Sequence, residues 1–266
     1  MPDNDHAVLR ALVEPAVRDA GALALGRFRG PLRHWTKDNA SPVSEIDIAV
    51  DELLHERLAG FDPAYGWLSE ETYKPGAPKG TDRTWIIDPI DGTRAYIGGL
   101  PDWTVVVALV EHGRPLLAAI FAPVADEFFF AFRGAGATVN AAPIRATDGA
   151  TLAGSRAAGP HRFLERLQRL DPNIAREPKV HSLALRLARV AQGRLDIAFA
   201  SDASHDWDLA AADLLVHEAG GTLTTLDGRT LVYDRPVPTH GALIAAGRVR
   251  HQTLIDLMRD RQSSFA

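Results

Sequence analysis

The stretch that decides the fold is Trp85-Ile-Ile-Asp-Pro-Ile-Asp-Gly-Thr93. It begins with an apolar, β-favouring run, which predicts a buried strand over residues 84–87. Asp88 follows at the end of that strand. We expect Pro89 to stop the hydrogen-bond ladder there, because proline has no N–H to donate. Asp91 comes three positions after the first aspartate, so the stretch delivers two carboxylates to one place.

Two carboxylates held this close repel each other, and one would be protonated unless a cation lay between them. Gly92 and Thr93 add backbone N–H groups at a predicted helix N-terminus, which favours an anion. A cation site beside an anion site indicates phosphate chemistry with Mg²⁺. The alternative is an ordinary turn, since Asp-Pro and Asp-Gly pairs are common in turns that bind nothing. The apolar run before the pair and the Gly-Thr after it favour the site.

The composition excludes several classes of function. The chain has 266 residues, enough for one large domain or two lobes that share a core. Its 29 basic and 34 acidic residues form no basic stripe or polybasic run, so we expect neither a nucleic-acid polymer nor a membrane as partner. The absence of cysteine excludes disulfides, zinc–thiolate sites and a cysteine nucleophile. With no apolar leader or membrane-spanning segment in the sequence, a cytoplasmic location is predicted.

The rest of the chain predicts a mixture of helices and strands. Helices are predicted over residues 6–29, 44–60, 161–170, 182–192, 206–219 and 248–261. Strands are predicted over 65–69, 84–87, 104–110, 115–121, 127–132, 195–200 and within 222–246. We expect a kink or a helix restart at Pro15, and polar loops over 36–43 and 74–80.

The stretch Trp85–Thr93 resembles the WI(I/V)DPIDGT signature of the inositol monophosphatase family. Further family motifs follow in the same order along the chain: Leu68-Ser-Glu-Glu71, Gly134-Ala-Gly-Ala-Thr-Val-Asn140, Gly193-Arg-Leu-Asp196, and Trp207-Asp-Leu-Ala-Ala-Ala with Glu218-Ala-Gly-Gly221. The resemblance implies an α+β fold, the layered αβαβα sandwich of the inositol monophosphatase and fructose-1,6-bisphosphatase type. It implies one phosphatase domain over 1–266, with an N-terminal α+β half (about 1–147) and a C-terminal α/β half (about 148–266). It also implies a homodimer, for which the predicted β meander over 103–132 is a candidate interface.

The resemblance also implies roles for individual residues. The ligands of two or three Mg²⁺ ions would be Glu70, Asp88, the carbonyl of Ile90, Asp91 and Asp208. The catalytic group would consist of Asp47 and Thr93, which orient and deprotonate the attacking water, with Glu70 at a third ion. The amides of Gly92 and Thr93 would hold the phosphate. Substrate contacts are predicted at Asp202, His205 and Lys37, each of which would otherwise be an ordinary surface residue.

Taken singly, these acids have simpler explanations. Asp47 and Asp208 are in the first turns of predicted helices, where a carboxylate favours the helix dipole. Glu70 would be a solvated loop residue. As an ordered set around the signature they favour the metal site, because a motif becomes specific when its predicted context is present.

The substrate is less clearly indicated than the chemistry. Inositol-specific members have Gly-Thr/Ser-Ala-Ala where this chain has His181-Ser-Leu-Ala184, and the glutamate that they carry shortly before Asp208 is absent. An inositol monophosphate is the first hypothesis. A 3′(2′),5′-bisphosphate nucleotide and histidinol phosphate are the alternatives. Inhibition by Li⁺ is expected from the resemblance.

Two other classes of function were weighed against this hypothesis. A haloacid-dehalogenase-type phosphatase needs two aspartates separated by one residue, whereas two residues separate Asp88 from Asp91, so that class is rejected. An inactive relative that only binds a partner is disfavoured, because every expected ligand is present.

Overall fold

A computed structural model describes residues 2–37, 42–75 and 82–260, with side chains for all of these except 2–4 and 260. The helices within these ranges are α1 (Pro2–Leu25), α2 (Glu45–Leu58), α3 (Thr93–Ile97), α4 (His161–Leu170), α5 (Leu183–Ala191), α6 (Asp206–Glu218) and α7 (Arg248–Asp260). The strands are β1 (His34–Thr36), β2 (Pro42–Ser44), β3 (Gly66–Ser69), β4 (Arg83–Asp91), β5 (Thr104–Glu111), β6 (Arg114–Ala122), β7 (Glu127–Phe132), β8 (Gly136–Val139), β9 (Ala142–Pro143), β10 (Arg156–Ala158), β11 (Ala175–Arg176), β12 (Ile197–Ala200), β13 (Ser204–His205), β14 (Gly221–Thr225), β15 (Thr239–His240) and β16 (Leu243–Gly247). None of the helices in the described ranges combines the length and the apolar character needed to cross a bilayer.

Two large sheets contain most of the strands. The first has the order β3-β4-β5-β6-β7-β8-β9, with β3 and β4 parallel and the later pairs antiparallel, which confirms the predicted meander. The second has the order β11-β10-β12-β16-β14, in which β16 runs antiparallel to both of its neighbours. The strands of the first sheet all precede the predicted division near residue 147, and the strands of the second sheet all follow it. The division into two halves of one domain stays a prediction.

Three apolar cores separate the layers. One lies between the first sheet and the helices α1 and α2. A central core surrounds α5 and α6 between the two sheets. A third covers the outer face of the second sheet with α4 and α7. The order helix, sheet, helix, sheet, helix confirms the predicted αβαβα sandwich.

Strand β4 supplies two of these cores. Ile86 belongs to the central core, whereas Trp85 and Ile87 belong to the core beneath α1 and α2. A strand covered on both faces has a continuous apolar sequence, and each such side chain contributes about 1.5–3 kcal/mol when fully buried. The burial of these side chains fixes the position of Asp88, which is the first residue after the apolar run.

Strand β4 does not end at Pro89, so the prediction that proline stops the ladder was wrong. Asp88 pairs with Val106 and Asp91 pairs with Thr104, so three steps on β4 match two steps on β5. This is a β-bulge with one extra residue. Proline is tolerated in a bulge because a residue there need not donate to the ladder.

The other predicted elements agree with the structure, with small shifts at their ends. Helix α1 begins and ends about four residues earlier than predicted and continues through the exposed Pro15 without a restart. Short strands β1 and β2 replace the two ends of the loop predicted over 36–43. Residues 38–41 of that loop, 76–80 of the second loop, and residue 261 of the predicted last helix lie outside the described residues.

Candidate active site

The bulge in β4 brings two aspartates to the same face. Along a regular strand, residues three positions apart point to opposite faces. The extra residue makes Asp88 and Asp91 equivalent to positions two steps apart, which share a face. Asp208, in the first turn of α6, is the third member. Carboxylate oxygens of these three residues lie within 4.8 Å of one another.

Burial makes this cluster unfavourable without a compensating charge. Burial raises the pKa of Asp88 well above its usual range, and four neighbouring carboxylates, first that of Glu70, raise it further. Burial likewise raises the pKa of Asp208, with Asp91 as the strongest neighbouring charge. Among the described residues, Oδ1 of Asp88 has no hydrogen-bond partner. A buried, unpartnered carboxylate oxygen within a set of oxygen donors fits a hard divalent cation.

Asp91 is held by the N-terminus of α5. Its Oδ2 accepts hydrogen bonds from the Ser182 hydroxyl and from the Ala184 N–H, both at 2.6 Å, and its Oδ1 accepts from the Leu183 N–H at 3.2 Å. Burial raises the pKa of Asp91, and these bonds oppose the rise. Ser182 was missed as a site residue. Its sequence context indicates a helix N-cap, but nothing in the sequence indicates that it faces Asp91.

Asp208 is oriented by the start of its own helix. Its Oδ2 accepts a hydrogen bond from the His205 N–H at 2.6 Å, as part of a capping box. The ring of His205 stacks on that of Trp207, with 4.5 Å between centroids. Burial lowers the pKa of His205. His205, a predicted substrate contact, therefore lies beside the cluster. The stacked rings of His205 and Trp207 form an aromatic surface that was not predicted from the sequence.

Glu70 lies outside the group of three aspartates but lines the same cleft. Its Oε1 accepts from Nζ of Lys37 at 3.2 Å, and Glu71 accepts from the same ammonium at 2.7 Å. Burial opposes the charge of Lys37, but the two glutamates outweigh it and raise the pKa of Lys37. Burial raises the pKa of Glu71 to about 7. Glu71 was not among the predicted site residues, although its position next to Glu70 was a visible signal.

Asp47 and Thr93 are in contact, as predicted. Asp47 is buried in the first turn of α2 and accepts hydrogen bonds from the N–H and the hydroxyl of Ser44 at 2.8 and 2.5 Å. Oγ1 of Thr93 lies 3.1 Å from Oδ1 of Asp47 and 3.0 Å from the carbonyl oxygen of Ile90. A hydroxyl has one hydrogen, so Thr93 donates to one of these acceptors at a time. Burial raises the pKa of Asp47, and the bonds from Ser44 oppose the rise.

Gly92 forms the turn between β4 and α3. Its φ of +95° is in the left-handed region that favours glycine. A Cβ at this position would lie 3.2 Å from the carbonyl oxygen of Asp102 and 3.2 Å from the nitrogen of Ser182. Both the backbone angle and the close packing therefore require glycine here. Helix α3 begins immediately afterwards, at Thr93.

The cluster lies in a cleft of about 860 Å³. Besides the acids, the cleft is lined by cationic and aromatic side chains, among them Lys37, Arg94, Lys179, His181, Tyr73, His205 and Trp207. Asp202 is not part of this lining. It is exposed and accepts hydrogen bonds from Arg162 at 2.6 Å and from the Ala242 N–H at 2.9 Å. The structure thus does not place Asp202 among the residues that line the cleft, and the substrate contact at Asp202 stays a prediction.

Comparisons with known proteins agree with this geometry. The profile described as "Inositol monophosphatase family" matches residues 5–263. An inositol-1-monophosphatase of Caulobacter vibrioides is 32% identical over 236 residues, which cover 84% of this chain and 89% of that protein. A histidinol-phosphatase of Mycobacterium tuberculosis is 35% identical over 209 residues, covering 74% and 79%. The solved structure of a Thermotoga maritima IMPase superposes with a TM-score of 0.83 at 26% identity and covers 100% of both chains. This chain belongs to the inositol monophosphatase family.

Proposed function

We propose that this chain uses the cluster of Asp88, Asp91 and Asp208 to hydrolyse a small-molecule phosphate monoester with water. As a member of its family, the chain is a phosphoric monoester hydrolase. The observation that carries the proposal is the group of buried carboxylates within 4.8 Å, one oxygen of which lacks a hydrogen-bond partner among the described residues. In its fully ionised form such a group is unfavourable unless a cation compensates its charge.

The proposed cofactor is Mg²⁺, in two or three ions. The residues that would hold it are Glu70, Asp88, Asp91 and Asp208 through their carboxylates and Ile90 through its carbonyl oxygen. When bound, Mg²⁺ supplies positive charge to the phosphoryl oxygens and lowers the pKa of a bound water. All of these donors are oxygen atoms, the ligands that Mg²⁺ prefers. Glu70 would exchange its bond to Lys37 for this role.

Asp47 and Thr93 would act on the attacking water. Asp47 accepts the hydrogen of the Thr93 hydroxyl, which leaves the threonine oxygen free to accept a hydrogen bond from water in the cleft. The water then transfers a proton to the pair of Asp47 and Thr93 as its oxygen forms a bond to phosphorus. The ester P–O bond breaks, and the leaving alcohol takes up a proton. The backbone N–H groups of Gly92 and Thr93, at the start of α3, would hold the phosphoryl oxygens.

An inositol monophosphate remains the first hypothesis for the substrate. A 3′(2′),5′-bisphosphate nucleotide and histidinol phosphate are the alternatives, and relatives with similar identities carry both inositol-phosphatase and histidinol-phosphatase names. The alternative of an inactive binding relative is disfavoured, since all of the proposed ligands line one cleft. Inhibition by Li⁺, a homodimer and a cytoplasmic location stay predictions from the sequence.

Phosphate release from inositol 1-phosphate, 3′-phosphoadenosine 5′-phosphate and histidinol phosphate tests the proposal. We expect hydrolysis of at least one of them that requires Mg²⁺ and is abolished by EDTA. Asp91→Asn should remove most of the activity while the protein stays folded, whereas the surface variant Asp202→Asn should behave as the wild type. Wild-type turnover in Asp91→Asn would show that the metal assignment is wrong.

A further inference from the structure

Three basic side chains at the cleft have no role in the proposed hydrolysis. Arg94, Lys179 and His181 all line the cleft that contains the aspartate cluster. Arg94 and Lys179 are exposed, and neither has a hydrogen-bond or ion-pair partner among the residues that the structure describes. Lys37 also lines the cleft, but it differs from Arg94 and Lys179 because it forms ion pairs with Glu70 and Glu71.

His181 is fixed in position by Asp102. Oδ2 of Asp102 accepts hydrogen bonds from the backbone N–H of His181 at 2.5 Å and from its ring Nδ1 at 2.7 Å. A carboxylate only accepts, so Nδ1 carries the hydrogen and Nε2 is the ring nitrogen left for another partner. The ring is therefore held in one orientation. Its Nε2 has no partner among the described residues and offers an N–H to an anion in the imidazolium form of the ring.

This pair lies directly beside the turn proposed to hold the phosphate. A Cβ built on Gly92 would lie 3.2 Å from the carbonyl oxygen of Asp102 and 3.2 Å from the backbone nitrogen of Ser182, so both residues are packed against the turn. Arg94 follows two residues after that turn, and Lys179 precedes His181 by two residues. Lys179 and His181 also line an adjoining cavity of about 660 Å³, so there is room for a substrate to extend past them.

The charges of this group select the kind of substrate. The hydroxyls of an inositol ring need no cation, whereas a phosphate or carboxylate forms stronger, charge-assisted hydrogen bonds with arginine and lysine. Glu177, the acid nearest to Lys179 in the sequence, lines the adjoining cavity rather than the cleft. A substrate anion held within the cleft itself would therefore not meet Glu177.

We propose that Arg94, Lys179 and His181 bind a second anionic group of the substrate, so that this chain acts on phosphate monoesters that also carry another phosphate or a carboxylate. The inference rests on the proposed function and names its substrate class. It disfavours an inositol monophosphate, whose ring carries no second anion, and histidinol phosphate, whose ammonium group would approach these cations. Among the three candidate substrates it favours the bisphosphate nucleotide.

Matched pairs of substrates that differ only in the second anion test the inference. The pairs are 3′-phosphoadenosine 5′-phosphate with adenosine 3′-phosphate, fructose 1,6-bisphosphate with fructose 1-phosphate, and 3-phosphoglycerate with glycerol 3-phosphate. The first two pairs test a second phosphate and the third tests a carboxylate. We expect kcat/KM to be at least about tenfold higher for the two-anion member of one or more pairs, since one charge-assisted hydrogen bond is worth roughly that factor.

Variants separate this group from general effects of charge. Lys179→Gln, at an exposed side chain without a partner, should reduce the preference for the two-anion member by about tenfold. Arg169→Gln removes one exposed positive charge on α4, away from the cleft, and should keep the wild-type preference. His181→Gln should also reduce the preference, and thermal unfolding checks that this variant remains folded.

The outcomes distinguish the two proposals. Equal kcat/KM within every pair, or a preference that Lys179→Gln leaves unchanged, would overturn the inference and leave the proposed hydrolysis standing. Failure of the wild type to release phosphate from any of the six compounds, from inositol 1-phosphate and from histidinol phosphate, with Mg²⁺ present, would overturn the proposed function and the inference with it.

Discussion

Asp88→Asn should change stability and activity in opposite directions. In the metal-free protein, two unit charges 4.8 Å apart repel by about 3.5 kcal/mol at an effective dielectric constant of about 20. The raised pKa of Asp88 means that protonation already relieves part of this repulsion. An asparagine removes the charge and offers an N–H to Asp91 or Asp208. We therefore expect the free energy of unfolding without metal to rise by about 1–2 kcal/mol, equivalent to about 2–4 °C in Tm.

The same substitution removes a proposed ligand. The loss of several kcal/mol of transition-state stabilisation corresponds to a decrease of roughly 1,000-fold in kcat/KM. Thermal unfolding in EDTA and in excess Mg²⁺, together with phosphate release, measures both effects. The Mg²⁺-dependent rise in Tm of the wild type should be largely lost in Asp88→Asn and kept in Asp202→Asn. A lower Tm in EDTA, with an unchanged response to Mg²⁺ and near-normal activity, would refute the reasoning.

Three further predictions concern two residues around the cluster and one residue in helix α7. Thr93→Ala should lower kcat by about 100-fold or more, because the hydroxyl orients the attacking water. The Mg²⁺ concentration for half-maximal activity should change little, because the hydroxyl is not a proposed metal ligand. A Mg²⁺ titration of activity measures both quantities, and equal losses would count against this role. Gly92→Ala should lower Tm by about 3–6 °C, because a left-handed backbone costs about 1–2 kcal/mol for alanine and its Cβ crowds Asp102 and Ser182; an unchanged Tm in a thermal scan would contradict the packing. Burial lowers the pKa of His251 to about 4, so the unfolded chain takes up a proton below about pH 6.5 that the folded state does not, and its contribution to stability is full above that pH and lost as pH falls towards 4. Urea unfolding at about pH 7 and about pH 5 should therefore show a smaller pH effect in His251→Gln, and identical pH effects in both proteins would exclude the assignment.

The sequence was sufficient for most of the local structure. The apolar run before Asp88 and the helices predicted over 44–60 and 161–170 each follow from rules that act within one segment. The layered sandwich came from the resemblance to a family, because the order of strands in a sheet depends on contacts between distant segments. The αβαβα order was confirmed by the three cores.

The errors arose where tertiary contacts decide the outcome. Pro89 was expected to end its strand, but pairing with β5 continues beyond it through a bulge. Asp51 on α2 is buried and accepts a hydrogen bond from Ser69 on β3, a contact between segments that the pattern within the helix does not reveal. Ser182 holds Asp91 across a sequence separation of 91 residues, which no local pattern reveals.

The most direct test of the central claim is an anomalous difference map from a crystal of this protein grown with Mn²⁺, a substitute for Mg²⁺ that can be located by its own scattering. We predict a strong peak bounded by the carboxylates of Asp88, Asp91 and Asp208, at roughly 2.0–2.3 Å from their nearest oxygens. The absence of a peak there, under conditions in which Mn²⁺ supports phosphate release, would contradict the account.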